Sequence, residues 1–168
     1  MATGFTARYS GRRLPEQLPT GSHCSSRLVA ATAGIYLNAD QLIDLVDGLK
    51  NKQGFIYLTD LCASHYPEKV GAEFEVIYHL HNLIENQRVR LKVALAESNI
   101  NIPTLTIHFV GANWMERETF DFYGVNFVGH PDLRRIIKMD DMDYHPLRKQ
   151  YALEDETRTD KNDTFFGR

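Results

Sequence analysis

The sequence predicts an α+β fold: an antiparallel sheet covered by helices on one face and followed by an irregular C-terminal tail. Three features carry that prediction. Segments around residues 74–81 and 88–95 alternate apolar and polar side chains, the period of a half-buried strand. Segments after Asn38 and Ala112 repeat apolar residues at helical spacing. Beyond Phe127 both patterns stop, replaced by His130-Pro131, His145-Pro146 and the aspartates Asp140, Asp141 and Asp143.

Residues 1–33 are poor in aliphatic periodicity and rich in Gly, Ser, Thr, Arg and Pro, and read as an N-terminal arm, flexible or ordered by a partner. The α+β domain is expected over residues 34–128 and the irregular tail over residues 129–168. The first helix begins near Asn38, which with Gln41 fits a capping box. Leu42, Leu45, Val46 and Leu49 form its inner face, Asp44 and Asp47 look to water, and Gly54 stops it. Phe55-Ile56-Tyr57-Leu58 reads as a strand, ended by turn residues around Pro67 and Gly71. In the next strand Phe74, Val76, Tyr78 and Leu80 alternate with Glu75, Ile77, His79 and His81. Val89, Leu91, Val93 and Leu95 alternate likewise with Arg88, Arg90 and Lys92, and Glu85-Asn86-Gln87 joins the two as a hairpin. In it Glu73 and Glu75 are expected to pair with Arg90 and Lys92 across the strands. Residues 103–110 are an apolar connection of undefined state. A second helix runs from about Ala112 to Tyr123 and ends at Gly124.

Composition narrows the function. A chain of 168 residues suits one core-bearing domain with extensions. Its 43% hydrophobic and 24% charged residues match a soluble globular protein. With 19 basic and 22 acidic residues, no global field attracts nucleic acid or anionic lipid. No apolar run approaches the roughly 20 residues needed to cross a bilayer, and no signal-peptide core is present. Cys24 and Cys62 are the only cysteines, which suggests a reducing, cytosolic-side compartment without a disulfide scaffold. No Gly-x-Gly-x-x-Gly or P-loop occurs, so nucleotide binding is not indicated.

The second helix is the most informative element. On a wheel of roughly 100° per residue, Ala112, Met115, Thr119, Phe122 and Tyr123 share an arc suited to the sheet. Trp114, Arg117, Glu118 and Asp121 fall opposite, with Glu116 and Phe120 on the flank. A Trp among charges asks for burial, under the returning tail or under another protein of an assembly. Unpaired buried charges cost several kcal/mol. Glu116, Glu118 and Asp121 are therefore expected to pair with Arg117, Arg134, Arg135 and Lys138, because a planar guanidinium suits a carboxylate. A fixed ion-pair network is favoured over acid/base catalysis, since no nucleophile or substrate pocket accompanies these carboxylates.

The run Ala112-Asn113-Trp114-Met115-Glu116-Arg117-Glu118-Thr119-Phe120-Asp121-Phe122-Tyr123-Gly124, then Phe127, then Gly129-His130-Pro131-Asp132-Leu133-Arg134-Arg135-Ile136, resembles the signature of the NuoC family. Its members are the C subunits of respiratory complex I. His145-Pro146-Leu147-Arg148-Lys149 resembles the family's tail, and the likeness reaches back loosely to the first helix, over roughly residues 35–150. The resemblance implies a peripheral-arm subunit of proton-pumping NADH:quinone oxidoreductase, a translocase, with no catalytic centre of its own. It implies a place on the cytoplasmic face of the inner (plasma) membrane, or the matrix side, with membrane contact only through the complex. It implies no cofactor and no metal in this chain, with NADH, FMN, iron–sulfur clusters and quinone bound by partner subunits. Two separated cysteines agree, since a cluster takes about four. The chief partner implied is the quinone-site subunit of the NuoD family. The residues carrying that interface would be Trp114, Glu116, Arg117, Glu118, Asp121, Gly124, His130, Pro131, Asp132, Arg134, Arg135, Pro146, Leu147, Arg148 and Lys149.

Other readings compete. His79 and His81 share a strand face and could ligate a metal, but Arg88, Arg90 and Lys92 beside them would repel a cation. Arg134, Arg135 and Lys138 form a basic cluster, but Asp132, Asp140, Asp141 and Asp143 bracket it, unlike a nucleic-acid surface. Within the resemblance, the equivalent subunit of a membrane-bound hydrogenase or of a complex with another electron donor is the alternative.

Overall fold

A computed structural model describes residues 8–9, 12–13, 25–29, 32–139 and 141–151. Cys24, most of the expected N-terminal arm and the tail beyond residue 151 lie outside them. Arg8–Tyr9 (β1) and Arg12–Arg13 (β2) pair with each other. Ser25–Val29 (β3), Thr32–Leu37 (β4), Tyr57–His65 (β5), Phe74–Asn82 (β6) and Gln87–Leu95 (β7) form one sheet in the order β3-β4-β7-β6-β5.

The first helix opens as a 3-10 turn, Ala39–Gln41, and continues as α1, Leu42–Gln53. The Asn38 N–H reaches Gln41 Oε1 at 3.4 Å, the Gln41 arm of the expected box. Leu42, Leu45, Val46 and Leu49 are buried and Asp44 and Asp47 exposed, as the spacing predicts. Gly54 takes a left-handed φ of 71°, open to glycine at little cost, and lets the Phe55 N–H turn back to the Leu49 carbonyl at 3.1 Å. Asn82 completes this corner: its Nδ2 donates to the Gln53 carbonyl and its Oδ1 accepts the Ile84 and Glu85 N–H groups.

The α+β architecture agrees with the sequence, with one addition. Three sheet pairings are antiparallel, while β4 runs parallel to β7. A parallel neighbour needs a crossover, which α1 and the β5–β6 hairpin supply. The missing strand β4 lies where Thr, Ala and Gly dilute the alternation. The first expected strand also shifts: Phe55 and Ile56 precede β5, which runs on to His65. Val76, Tyr78, Leu80, Val89, Leu91 and Val93 face one core with α1.

Of the expected cross-strand pairs, one forms. Lys92 Nζ meets Glu75 Oε1 at 2.5 Å, diagonally, because the register sets Lys92 opposite Ile77. Glu73 instead accepts the N–H groups of Gly71 and Glu97, and Arg90 stands opposite His79.

The undefined connection contains Asn101–Pro103 (β8), which pairs in parallel with Asn126–Val128 (β9). Between them lies α2, Ala112–Tyr123, the crossover of a compact β-α-β unit packed on β5. Among the described residues no helix is long and apolar enough to cross a membrane.

Candidate interface built by the second helix and the tail

Helix α2 buries Ala112, Glu116, Thr119 and Asp121, so two carboxylates occupy positions usually given to apolar groups. Glu116, which the wheel placed on the flank, is fully buried. Its Oε2 accepts Thr104 Oγ1–H at 2.5 Å and its Oε1 accepts the Leu105 N–H at 2.7 Å. Glu116 thus ties α2 to the residues after β8. His130 Nε2 is 3.9 Å from Glu116 Oε2 and 3.2 Å from the Asn113 carbonyl. His130 Nδ1 accepts the Asp132 N–H at 3.0 Å, so the Nε2 carries the hydrogen and donates to Asn113.

Burial pushes the Glu116 carboxyl up to about 7, against the two hydrogen bonds, which favour the charged form. A carboxyl raised in the folded state contributes most stability below its ordinary value of 4.5, and loses it as pH rises through about 7. Wild-type stability should therefore fall by about 3 kcal/mol between pH 4.5 and 7.5 through this group. Glu116→Gln should flatten that interval in denaturant melts of the full chain. An equally steep fall in the variant would assign the effect elsewhere.

From His130 onward the tail tracks α2 in the same direction. His130 meets Asn113; Arg117 Nε and Nη2 donate to the carbonyls of Arg134 (3.1 Å) and Arg135 (3.4 Å). Asp121 Oδ2 collects three successive N–H groups, from Ile136 (3.2 Å), Ile137 (2.9 Å) and Lys138 (2.9 Å). Burial alone would raise the Asp121 carboxyl, but these donors outweigh it and hold it below its ordinary range. Three converging amides form a nest for one oxygen.

This corrects the expected ion-pair network. Glu116 binds a threonine hydroxyl and an N–H group before the helix, while Asp121 binds backbone N–H groups and Arg117 backbone carbonyls, because the tail presents its peptide groups to the helix. Arg134 pairs with Asp132 at 2.9 Å on the surface, Arg135 Nη1 donates to the Met139 carbonyl at 3.4 Å, and Lys138 Nζ donates to Tyr144 O at 2.6 Å. Glu118 is exposed.

The second tail segment caps the helix. The last carbonyls of a helix lack internal partners, and here each receives one. The Gly124 N–H returns to Phe120 O at 2.9 Å, and His145 Nδ1 donates to Asp121 O at 3.0 Å. The Leu147 N–H reaches Phe122 O at 3.3 Å, and Arg148 Nε reaches Tyr123 O at 2.8 Å. Pro146 separates the His145 donor from the Leu147 and Arg148 donors. The Lys149 N–H then bonds His65 Nδ1 at 2.9 Å, and Arg148 lies 5.0 Å over Phe74, on which His65 stacks. Gly124, at φ 78°, is the C-cap that lets His145 and Arg148 approach this closely.

The described tail residues do not cover Trp114, which is 58% exposed. Ile107 and Val110 before α2, and Ile137 and Met139 in the tail, are exposed as well. The structure therefore brings together Glu116, Arg117, Asp121, Gly124, His130 and the 145–149 segment, and leaves Trp114, Glu118, Asp132 and the Arg134 side chain outside. Pro131 lies in the turn after His130. Sequence reasoning missed Thr104, the Leu105 amide, His65 and the amides of residues 136–138. Amides carry no sequence signal, and Thr104 and His65 stand far from the helix along the chain. No three His, Cys, Asp or Glu converge as a metal site among the described residues; His79 and His81 stand opposite Arg90 and Arg88.

The family described as respiratory-chain NADH dehydrogenase, 30 kDa subunit, matches residues 35–157. The C subunit of NADH-quinone oxidoreductase from Moorella thermoacetica is 46% identical over 118 residues, covering 70% of this chain and 78% of that protein. A C subunit of the same enzyme from Rhizobium meliloti is 44% identical over 68% of this chain, which spans 57% of it. The fused C/D subunit of Proteus mirabilis is 40% identical over 70% of this chain, which spans 21% of it. Among solved structures, a trypsin-resistant fragment of Nqo5 aligns with a TM-score of 0.61 at 27% identity, over 66% of this chain and 89% of the fragment. A chain of an archaeal membrane-bound sulfane sulfur reductase shares the fold, with a TM-score of 0.68 at 22% identity over 79% of each chain. The signature helix, its tail and these matches agree: the chain belongs to the NuoC family, that of the 30 kDa subunit of the respiratory-chain NADH dehydrogenase.

Proposed function

We propose that this chain is a cofactor-free, peripheral-arm subunit of proton-pumping NADH:quinone oxidoreductase that supports the quinone-reducing module. On this reading NADH, FMN, iron–sulfur clusters and quinone are bound by partner subunits. The chain works on the cytoplasmic face of the membrane, or on the matrix side, and its chief partner is the NuoD-family subunit. The fusion of C and D into one polypeptide in the Proteus mirabilis relative supports that pairing.

The observation that carries the reading is the uncovered apolar surface around α2. Trp114 lies one turn before Arg117, on the line along which the tail is fastened, and stays 58% exposed. Its neighbours are fastened by hydrogen bonds: the tail by Asp121 and the helix end by His145 and Arg148. An exposed aromatic among charges, on a fastened surface, is the composition of an interface anchor.

Trp114→Ala should leave the free chain's melting temperature nearly unchanged and weaken its entry into the assembly by about 2 kcal/mol, roughly thirtyfold in affinity. Arg134→Ala with Arg135→Ala should act in the same direction, with near-normal quinone reduction per assembled complex. Subunit stoichiometry by mass spectrometry, together with turnover per complex, reads both. Normal assembly with lost quinone reduction would replace the supporting role with a direct catalytic one.

A further inference from the structure

The second side of the five-stranded sheet carries chemistry that the α2 surface does not explain. The buried residues of α1 and Ala112 of α2 belong to the core on the apolar side. On the other side Ile77, His79, His81 and Arg90 are only partly buried and Arg88 is exposed. The register sets His79 directly opposite Arg90 and His81 directly opposite Arg88. Adjacent cross-strand positions thus hold an arginine against an imidazole, twice, with Lys92 next along β7.

Arg88, Arg90 and Lys92 set three cationic side chains on alternate positions of one strand face. The local carboxylates offset this only in part. Glu75 is taken by Lys92 at 2.5 Å, and Asp60 stands beyond His79, on the far strand of the row. Arg88 and Arg90 form no salt bridge among the described residues, and Arg90 Nε is shielded from water without a hydrogen-bond partner. A shielded, unpaired donor on a charged group is expensive. His81 Nε2 touches Asn86 Oδ1 at 3.2 Å, which leaves its remaining ring nitrogen for another contact. Burial, reinforced by Arg90, holds His79 below the ordinary imidazole range, so in the isolated chain this imidazole resists the charge that an anion beside it would restore.

We propose that this face is a second docking surface, in which Arg88, Arg90, His79 and His81 receive aspartate or glutamate side chains from a segment of another subunit. Arginine forks take carboxylates two-pronged, which suits two guanidiniums on alternate residues of one strand face. Ile77 and Tyr36 beside the charges add apolar contact of the kind found in protein interfaces. Asp60 and Glu75 at the margins disfavour a polyanion such as nucleic acid or an anionic bilayer, which asks for an uninterrupted basic stripe. The inference rests on the chain's entry into the assembly proposed above, but on a different surface.

The test compares the free full-length chain with the assembled complex, using an arginine-specific dicarbonyl reagent and peptide mass spectrometry. Labelling of Arg88 should fall about tenfold on assembly. Arg88→Asp with Arg90→Asp should lower the assembled amount about tenfold or more, while Arg88→Lys with Arg90→Lys, which keeps the charge and loses the two-pronged fork, lowers it less. A circular-dichroism melt of each free variant shows that the sheet still forms, and Arg88→Asp alone serves where the double variant does not fold. Equal labelling of Arg88 in the free and assembled chain overturns the proposal, as does normal assembly of a folded Asp variant. Protection of Arg88 by phosphatidylglycerol vesicles alone, matching that in the complex, overturns it in favour of a lipid site. A wild-type chain that enters no assembly overturns both this reading and the function proposed above.

Discussion

Gly124→Ala should lower the stability of the full chain by about 3 kcal/mol, a fall of roughly 10 °C in melting temperature. Two costs add. An alanine at φ 78° is strained in the left-handed region. Its Cβ would also stand 2.6 Å from His145 Nε2 and 2.7 Å from an Arg148 guanidinium nitrogen. Both atoms are tips of side chains that can swing away, so the clash is relieved by movement. That movement removes the hydrogen bonds to Asp121 O and Tyr123 O and exposes the end of α2. Limited proteolysis supplies an independent readout: cleavage between residues 141 and 151 should appear in Gly124→Ala and not in wild type. A variant that loses stability without gaining cleavage would show backbone strain alone, with the cap intact.

Asp121→Ala should be at least as costly, at about 3–5 kcal/mol. It strands the N–H groups of Ile136, Ile137 and Lys138 in a site that is closed to water on the Asp121 side. Asp121→Asn keeps one acceptor oxygen of the same shape and should cost only about 1–2 kcal/mol. The pH dependence carries the sign. Asp121 is held below its ordinary 3.8, so its contribution is complete above that value and is lost as pH falls through its lower folded value. Urea melts between pH 2.5 and 6 should show wild type losing its advantage over Asp121→Asn towards the acid end. An advantage that grows on acidification would mean that the carboxylate is not the receiving group.

The sequence was most legible where one pattern governs. The limits of α2 and its glycine stop, the β6–β7 hairpin and the inner face of α1 all follow from a period and a breaker, and all appear where expected. The parallel strands were less legible. In β4 a glycine and two small residues thin the alternation, and β8 and β9 are each three residues long, too short for any period. In the site, the signature located the right helix and tail but not their bonding. Charge complementarity pointed to arginine–carboxylate pairs, whereas Asp121 and Arg117 found peptide groups. Glu116, moved from flank to core, shows the same limit: its partners are a threonine hydroxyl and an amide that become neighbours only when β8 and α2 pack.

That choice of partners has a consequence for how the surface can change. A peptide group is the same whatever side chain it carries, so the residues between 134 and 138 are held by features that mutation of their own side chains leaves in place. Docking of the strap and the identity of its outward groups are therefore separate variables. Arg134, Ile137 and Met139 can be exchanged to suit a different neighbour while Asp121 and Arg117 keep the strap in register. Neutral peptide dipoles also attract few counterions, so the fastening should persist at salt concentrations that screen the surface pair of Arg134 with Asp132.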